Sequence, residues 1–229
     1  MKRLFFAAVA LAATMMALSS CFVQVRSNFT KGMAPASDTL VTETFTPGDF
    51  KEISFTAFDM EYHQISEGED SIEVTLDKNY VDYLEVRNDD GILDIDLNLT
   101  NFISRGMLVK VYSKTLEGIS IAGSSDAKIP GGLVTEKFNV SIAGSGDLVV
   151  NGLRSKSVSM SIAGSGDIIT KDLDCGNVEV SIAGSGDVTL SGKAEYGSFS
   201  IAGSGDIDIR NLAVEQVNTK VMGSGSVER

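Results

Sequence analysis

The sequence predicts an all-β, right-handed parallel β-solenoid with coils of about 20 residues, and two observations carry that expectation. The first is a repeated phrase. Ser-Ile-Ala-Gly-Ser-Gly-Asp begins at Ser141, Ser161, Ser181 and Ser200. A variant with Ser-Ser-Asp precedes it at Ser120, and a decayed one, Lys-Val-Met-Gly-Ser-Gly-Ser, follows at Lys220. The starts are separated by 21, 20, 20, 19 and 20 residues. A fixed period near twenty means stacked supersecondary units, each too small to close a core alone. The second observation is alternation of period two on both sides of the phrase, the signature of strands with one buried face.

Before each corner, Val158, Met160 and Ile162, then Val178, Val180 and Ile182, then Phe199 and Ile201 alternate with polar residues. After each Asp the alternation resumes with Leu148 and Val150, Val188 and Leu190, Ile207 and Ile209. Leu153, Leu173 and Leu212 follow six residues after their Asp. Each unit is therefore a strand, a Gly-Ser-Gly-Asp corner, a strand and a second turn. Asn151-Gly152, Lys171-Asp172, Ser191-Gly192 and Arg210-Asn211 mark those second turns. The one-residue variations in spacing belong there, because turns tolerate insertion.

Gly144, Gly146, Gly164, Gly166, Gly184, Gly186, Gly203 and Gly205 are corner glycines, where a sharp bend or a closely approached backbone excludes a Cβ. Asp126, Asp147, Asp167, Asp187 and Asp206 form the one repeated ionisable column. Carboxylates ~5 Å apart repel by ~0.8 kcal/mol in bulk water and by ~3 at an effective dielectric of 20. Such a column must be solvated, bonded to backbone amides as in Asx turns, or neutralised by cations. Ca²⁺ at Asp147, Asp167, Asp187 and Asp206 is the alternative to the amide-acceptor role. The calcium-binding nonapeptide, however, has period nine rather than twenty.

The chain opens on a targeting segment. Lys2 and Arg3 precede an apolar run from Leu4 to Leu18, short for a membrane span. Leu18-Ser19-Ser20-Cys21 resembles the lipobox of bacterial lipoproteins, which implies a signal peptide over 1–20 and lipidation of Cys21. Several acyl chains on one residue give stable anchoring to a membrane. Loss of residues 1–20 leaves 17 cationic and 31 anionic side chains, a net charge of −14. That argues against nucleic acid as a partner.

Residues 21–44 lack a clear period and are expected to form the lipidated N-terminus and a tether. From Phe45 the pattern becomes strand-like, so 45–229 is the solenoid domain, with irregular first coils over 45–117 and regular repeats over 118–229. Glu67-Gly68-Glu69-Asp70 and Asn88-Asp89-Asp90-Gly91 are turns within the irregular part. It is also expected to cap one end of the stack, which otherwise exposes an unpaired edge. With Cys21 lipidated, Cys175 is left without a disulfide partner and is expected to be a small residue near the second turn.

Catalytic signals are sparse. His63 is the single His, so any triad or His-ligated metal would need it. There is no phosphate-binding or nucleophile-elbow motif. No cofactor is expected. The repeated phrases, with Phe50-Lys51-Glu52-Ile53 and Leu93-Asp94-Ile95, resemble the family called putative auto-transporter adhesin, head GIN domain, common in Bacteroidota. That resemblance implies a secreted or envelope β-solenoid and carries no catalytic residues. In that phylum, surface-exported lipoproteins often carry acidic residues after the lipidated Cys. Phe22-Val23-Gln24-Val25-Arg26 has none, which favours the periplasmic face of the outer membrane over the cell surface. Asp38-Thr39-Leu40 and Asp70-Ser71-Ile72 match the short O-glycosylation pattern of the same phylum. The expected function is that of a non-catalytic binding or adhesion module for a protein or glycan ligand. The alternatives are a periplasmic scaffold protein and a carbohydrate-active enzyme.

Overall fold

The computed structural model describes residues 34–37 and 39–229. The signal peptide, Cys21 and Asp38 lie outside the described residues. The chain stacks into a β-solenoid of about six turns.

The irregular half contributes seven strands: β1 (Leu40–Phe45), β2 (Glu52–Phe55), β3 (Asp59–Gln64), β4 (Ser71–Asp77), β5 (Leu84–Asp89), β6 (Ile92–Leu97) and β7 (Leu108–Ser113). A short 3-10 segment spans Lys78–Tyr83. The regular half contributes β8 (Gly118–Gly123), β9 (Ala127–Ile129), β10 (Leu133–Val134), β11 (Lys137–Gly144), β12 (Leu148–Gly164), β13 (Ile168–Gly184), β14 (Val188–Gly203), β15 (Ile207–Gly223) and β16 (Val227–Glu228).

In the regular half every coil pairs in parallel with the next, residue for residue. Ile142, Ile162, Ile182 and Ile201 form one column, and Ser141, Ser161, Ser181 and Ser200 another. The pairing runs through the second turn, so β12, β13 and β15 are each unbroken over 17 residues. The register slips between Thr170 and Leu173 on one side and between Thr189 and Ser191 on the other, where the 19-residue coil loses a residue. The length variation is thus confined to the second turn, as expected. The inward columns are buried up to β14 and open to solvent on the last coil: Val158, Met160, Ile162, Val178, Val180, Ile182, Phe199 and Ile201 are all at most 1% exposed, while Val221 is 42% exposed. Burial of such side chains contributes roughly 1.5–3 kcal/mol each.

Thr135, Ser155, Cys175, Ala194 and Val214 occupy the narrow inward position after the second turn. Cys175 is buried there, with its thiol pushed up to about 11 by burial and by the nearby charges of Asp174 and Glu195. It is a packing residue in a column of small side chains.

The irregular half departs from simple coiling in three ways. First, β1 starts at Leu40 and pairs antiparallel with β4, while Ser37 binds Asp77 through its backbone N–H and its hydroxyl, both at 2.8 Å. Residues 34–37 and 39–44 therefore belong to the folded domain and not to the tether expected over 21–44. Second, the cap is antiparallel: β4 lies along β7, and β5 along β6 through the Asp90-Gly91 turn. Both turn residues have positive φ (52° and 83°), as a two-residue hairpin of this twist demands.

Third, the stack is out of sequence order. β2 pairs in parallel with both β6 and β8, and β3 with both β7 and β9. The β2–β3 coil thus sits between β6–β7 and β8–β9. After β7 the chain must pass the end of that coil to reach β8. The crossing segment carries buried Leu116 and Glu117, whose carboxylate grips Lys51 at 2.8 Å and Lys137 at 3.1 Å.

Candidate functional site

Three features of the solenoid could carry function: the Asp column, the outer faces, and a groove at the crossing.

The Asp column is a hydrogen-bonded ladder. Oδ1 of each Asp accepts the backbone N–H of the equivalent Asp one coil on. Asp126 accepts from Asp147 at 3.0 Å, Asp147 from Asp167 at 2.9 Å, Asp167 from Asp187 at 2.8 Å and Asp187 from Asp206 at 2.8 Å. The ladder runs past the Asp column at both ends, and the Asp59 end carried no phrase in the sequence. At one end Asp59 accepts from Asp126 at 3.1 Å. Its corner, Ser54 to Asp59, is one residue shorter than Ser120 to Asp126, and Ala57 takes the positive φ (69°). That deletion hid the phrase. At the other end Ser226 donates both its N–H (2.7 Å) and its hydroxyl (2.8 Å) to Asp206. Here Ser replaces Asp where it caps the ladder as a donor. Among the described residues no three His, Cys, Asp or Glu side chains are grouped as a metal site.

The corner glycines are demanded by the stack. A Cβ on Gly144, Gly164, Gly184 or Gly203 would lie 2.0–2.1 Å from the carbonyl oxygen of the glycine one coil below. Gly146, Gly166, Gly186 and Gly205 face the same obstacle from the next carbonyl. Ser125 escapes it because the corner beneath is the short one, and its side chain is buried.

His63 stacks on Tyr112 with ring centroids 5.2 Å apart, and its Nε2 lies 3.8 Å from Glu61. It lies half-buried on the outward face of β3, away from the groove described below. Ser71 is half-buried at the start of β4. Asp70 beside it is buried and accepts the Lys114 N–H at 3.2 Å.

The groove, of about 730 Å³, is lined by Gln64, Ile65, Ser66, Lys114, Gly131, Gly132, Leu133, Val134, Gly152, Arg154 and Asp172. It lies where the out-of-order coil meets the first regular ones. Lys114 belongs to the crossing segment. Gln64, at the end of β3, is locked: its side-chain amide donates to the carbonyls of Lys114 (3.0 Å) and Val134 (2.9 Å) and accepts the Val134 N–H (2.9 Å). One side chain thereby bridges the gap left by the crossing and makes a rigid wall. Val134 is 62% exposed. No sequence motif pointed to this groove, because the chain segments around it are brought together only by the crossing.

Residues 49–171 and 149–228 match the family model described as "Putative auto-transporter adhesin, head GIN domain". No protein of curated function matches the chain. Among solved structures it is similar to a putative lipid binding protein from Parabacteroides distasonis ATCC 8503. That match has 23% identity and TM-score 0.73, and covers 84% of this chain and 97% of that one. A putative adhesin from Bacteroides fragilis NCTC 9343 is similar at 22% identity and TM-score 0.70, covering 84% of this chain and 98% of that one. Another, from Parabacteroides merdae ATCC 43184, has 24% identity and TM-score 0.55, covering 84% of this chain and 97% of that one. At these identities the likeness is one of fold.

Proposed function

Because the chain belongs to the putative auto-transporter adhesin, head GIN domain family, we propose that it is a lipid-anchored, non-catalytic binding module of the cell envelope. Cys21 would be the anchor, and the periplasmic side of the outer membrane is the favoured location. The observation that carries the binding role is the rigid groove at the chain crossing, with Gln64 fully bonded and Lys114 and Arg154 on its rim. A built, open groove on an otherwise regular solenoid is a place for a ligand.

A periplasmic scaffold is the second reading. It is supported by the exposed Ser141, Ser161 and Ser181 and the exposed Ala143, Ala163 and Ala183, which line up in register as columns of small side chains on one outward face. The test has two parts. Wild-type and Cys21→Ala chains are partitioned in detergent, and intact cells are then treated with protease. Anchoring predicts a detergent-phase wild type and an aqueous variant. Cleavage only after lysis supports the periplasmic side; cleavage of intact cells moves the protein outside. To separate module from scaffold, the soluble domain is incubated with envelope fractions. Retention that is lost on altering the groove supports the binding module, and retention lost only on altering the Ser/Ala face supports the scaffold.

A further inference from the structure

We propose that the groove at the crossing binds an acidic oligosaccharide, with Lys114 and Arg154 each holding an acid group on a separate sugar unit. This rests on the binding-module reading and specifies its ligand class. Among the described residues neither cation is in a salt bridge, so both ends are open to a ligand, whereas Lys51 and Lys137 nearby are held by Glu117. Two cations against the single carboxylate of Asp172 leave the groove lining net positive on a chain with a net charge of −12, with the Asp70 carboxylate also near Lys114.

Their spacing sets the size of the ligand. Lys114 and Val134 are bridged by Gln64, and Val134 is in register with Arg154 on the next coil. Lys114 and Arg154 therefore lie three coil spacings apart, about 14 Å along the stack at the ~4.8 Å separation of paired strands. That is the spacing of their backbones: a single phosphate would require both long side chains to converge on it, whereas a chain with acid groups on separate units meets them extended.

The floor favours sugar over peptide. Gly131, Gly132 and Gly152 present bare backbone, and Leu133, Val134 and Ile65 add apolar surface for the C–H face of a sugar ring. An extended peptide would seek an open strand edge; β10 is paired with β12 on one side, and on its other edge the Val134 N–H and carbonyl are both taken by the Gln64 side chain. Both N–H groups of the Gln64 amide are engaged, so it has no donor left for an acid group and its part is to hold the wall.

The experiment is calorimetric titration of the soluble domain (residues 34–229 with its fold verified by circular dichroism). The probes are an oligogalacturonate, a neutral cello-oligosaccharide of equal length and a polyglutamate peptide. Oligogalacturonate is expected to bind at least tenfold more tightly than the neutral sugar, and to weaken as salt is raised. Lys114→Glu and Arg154→Glu should each weaken it at least fivefold, while Lys220→Glu, on the last coil, leaves it unchanged. Equal binding of neutral and acidic sugars, or indifference to both groove variants, overturns the proposal. Tighter binding of polyglutamate than of oligogalacturonate overturns it in favour of an acidic peptide. If no probe binds but the domain is still retained by envelope fractions, this inference fails and the binding-module reading stands. Loss of both defeats both.

Discussion

Oδ1 of Asp167 accepts the backbone N–H of Asp187 at 2.8 Å, one full coil further along the chain. The same bond recurs from Asp59 to Ser226, so a surface carboxylate serves each corner as its amide acceptor. Charge is incidental to that role; an oxygen at that position is what matters. Asp167→Asn should leave stability within about 0.5 kcal/mol of wild type, because its amide oxygen can still accept. Asp167→Ala should cost about 1 kcal/mol, the usual net worth of a hydrogen bond. Urea unfolding of the two variants separates the cases. Melting in EDTA and in millimolar CaCl₂ should coincide; a Ca²⁺-dependent rise would instead assign the column to cation binding.

Gly164, at a corner, and Gly152, at a second turn, should respond differently to the same substitution. In Gly164→Ala the new methyl would lie 2.1 Å from the Gly144 carbonyl oxygen at φ 144°, so the coils must separate. In Gly152→Ala the nearest atom is Gly132 Cα at 3.7 Å, leaving only the cost of φ 78°. The expected losses are about 3–5 kcal/mol for the first, from overpacking added to strain, and about 1–2 kcal/mol for the second. Similar losses for both would mean that steric stacking is not what demands the corner glycine.

Ile162 is 1% exposed in an inward column between Ile142 and Ile182. Ile162→Asp would bury an unpaired carboxylate there and should abolish the cooperative transition. A thermal melt like that of wild type would refute its inward position.

Thr170 occupies the inward column between Val150 and Leu190, fully buried, and its hydroxyl has no partner among the described residues. Thr170→Val keeps the shape and removes the unsatisfied group. It should stabilise the domain by about 1 kcal/mol, the low end of the cost of an unpaired buried polar group. Destabilisation in a urea titration would show that the hydroxyl is bonded in solution.

The Tyr62 phenol is buried, bonded to Ser113 Oγ at 3.0 Å, and pushed up to about 12 by burial, with the Asp70 charge adding and the Ser113 bond opposing. Between pH 10 and pH 12 the unfolded chain has released this proton and the folded chain retains it. The associated stability is complete below pH 10 and is lost as pH rises through 12, on the order of 2–3 kcal/mol in total. Tyr62→Phe should be weaker at pH 8 by about 1 kcal/mol, and should fall less steeply between pH 10 and 12. Parallel alkaline limbs for the two proteins would contradict the burial of the phenol.

The regular coils were legible because a stacked repeat writes its own contacts into one dimension. Ile142, Ile162, Ile182 and Ile201 touch because they stand at equivalent places in successive units, and equivalence is visible in a string. The corner phrase, the inward columns and the turn that absorbs length changes follow from period and polarity alone. The place of β2–β3 between β6–β7 and β8–β9 does not. No local preference of Lys51 to Gln64 distinguishes stacking on the next coil from stacking between two later ones; that choice depends on which faces remain uncovered once the chain has collapsed. Asp59 on the ladder, the early start of the domain at residue 34, and the meeting of Gln64, Lys114, Val134 and Arg154 are all consequences of that choice, made by long-range pairing rather than by sequence period.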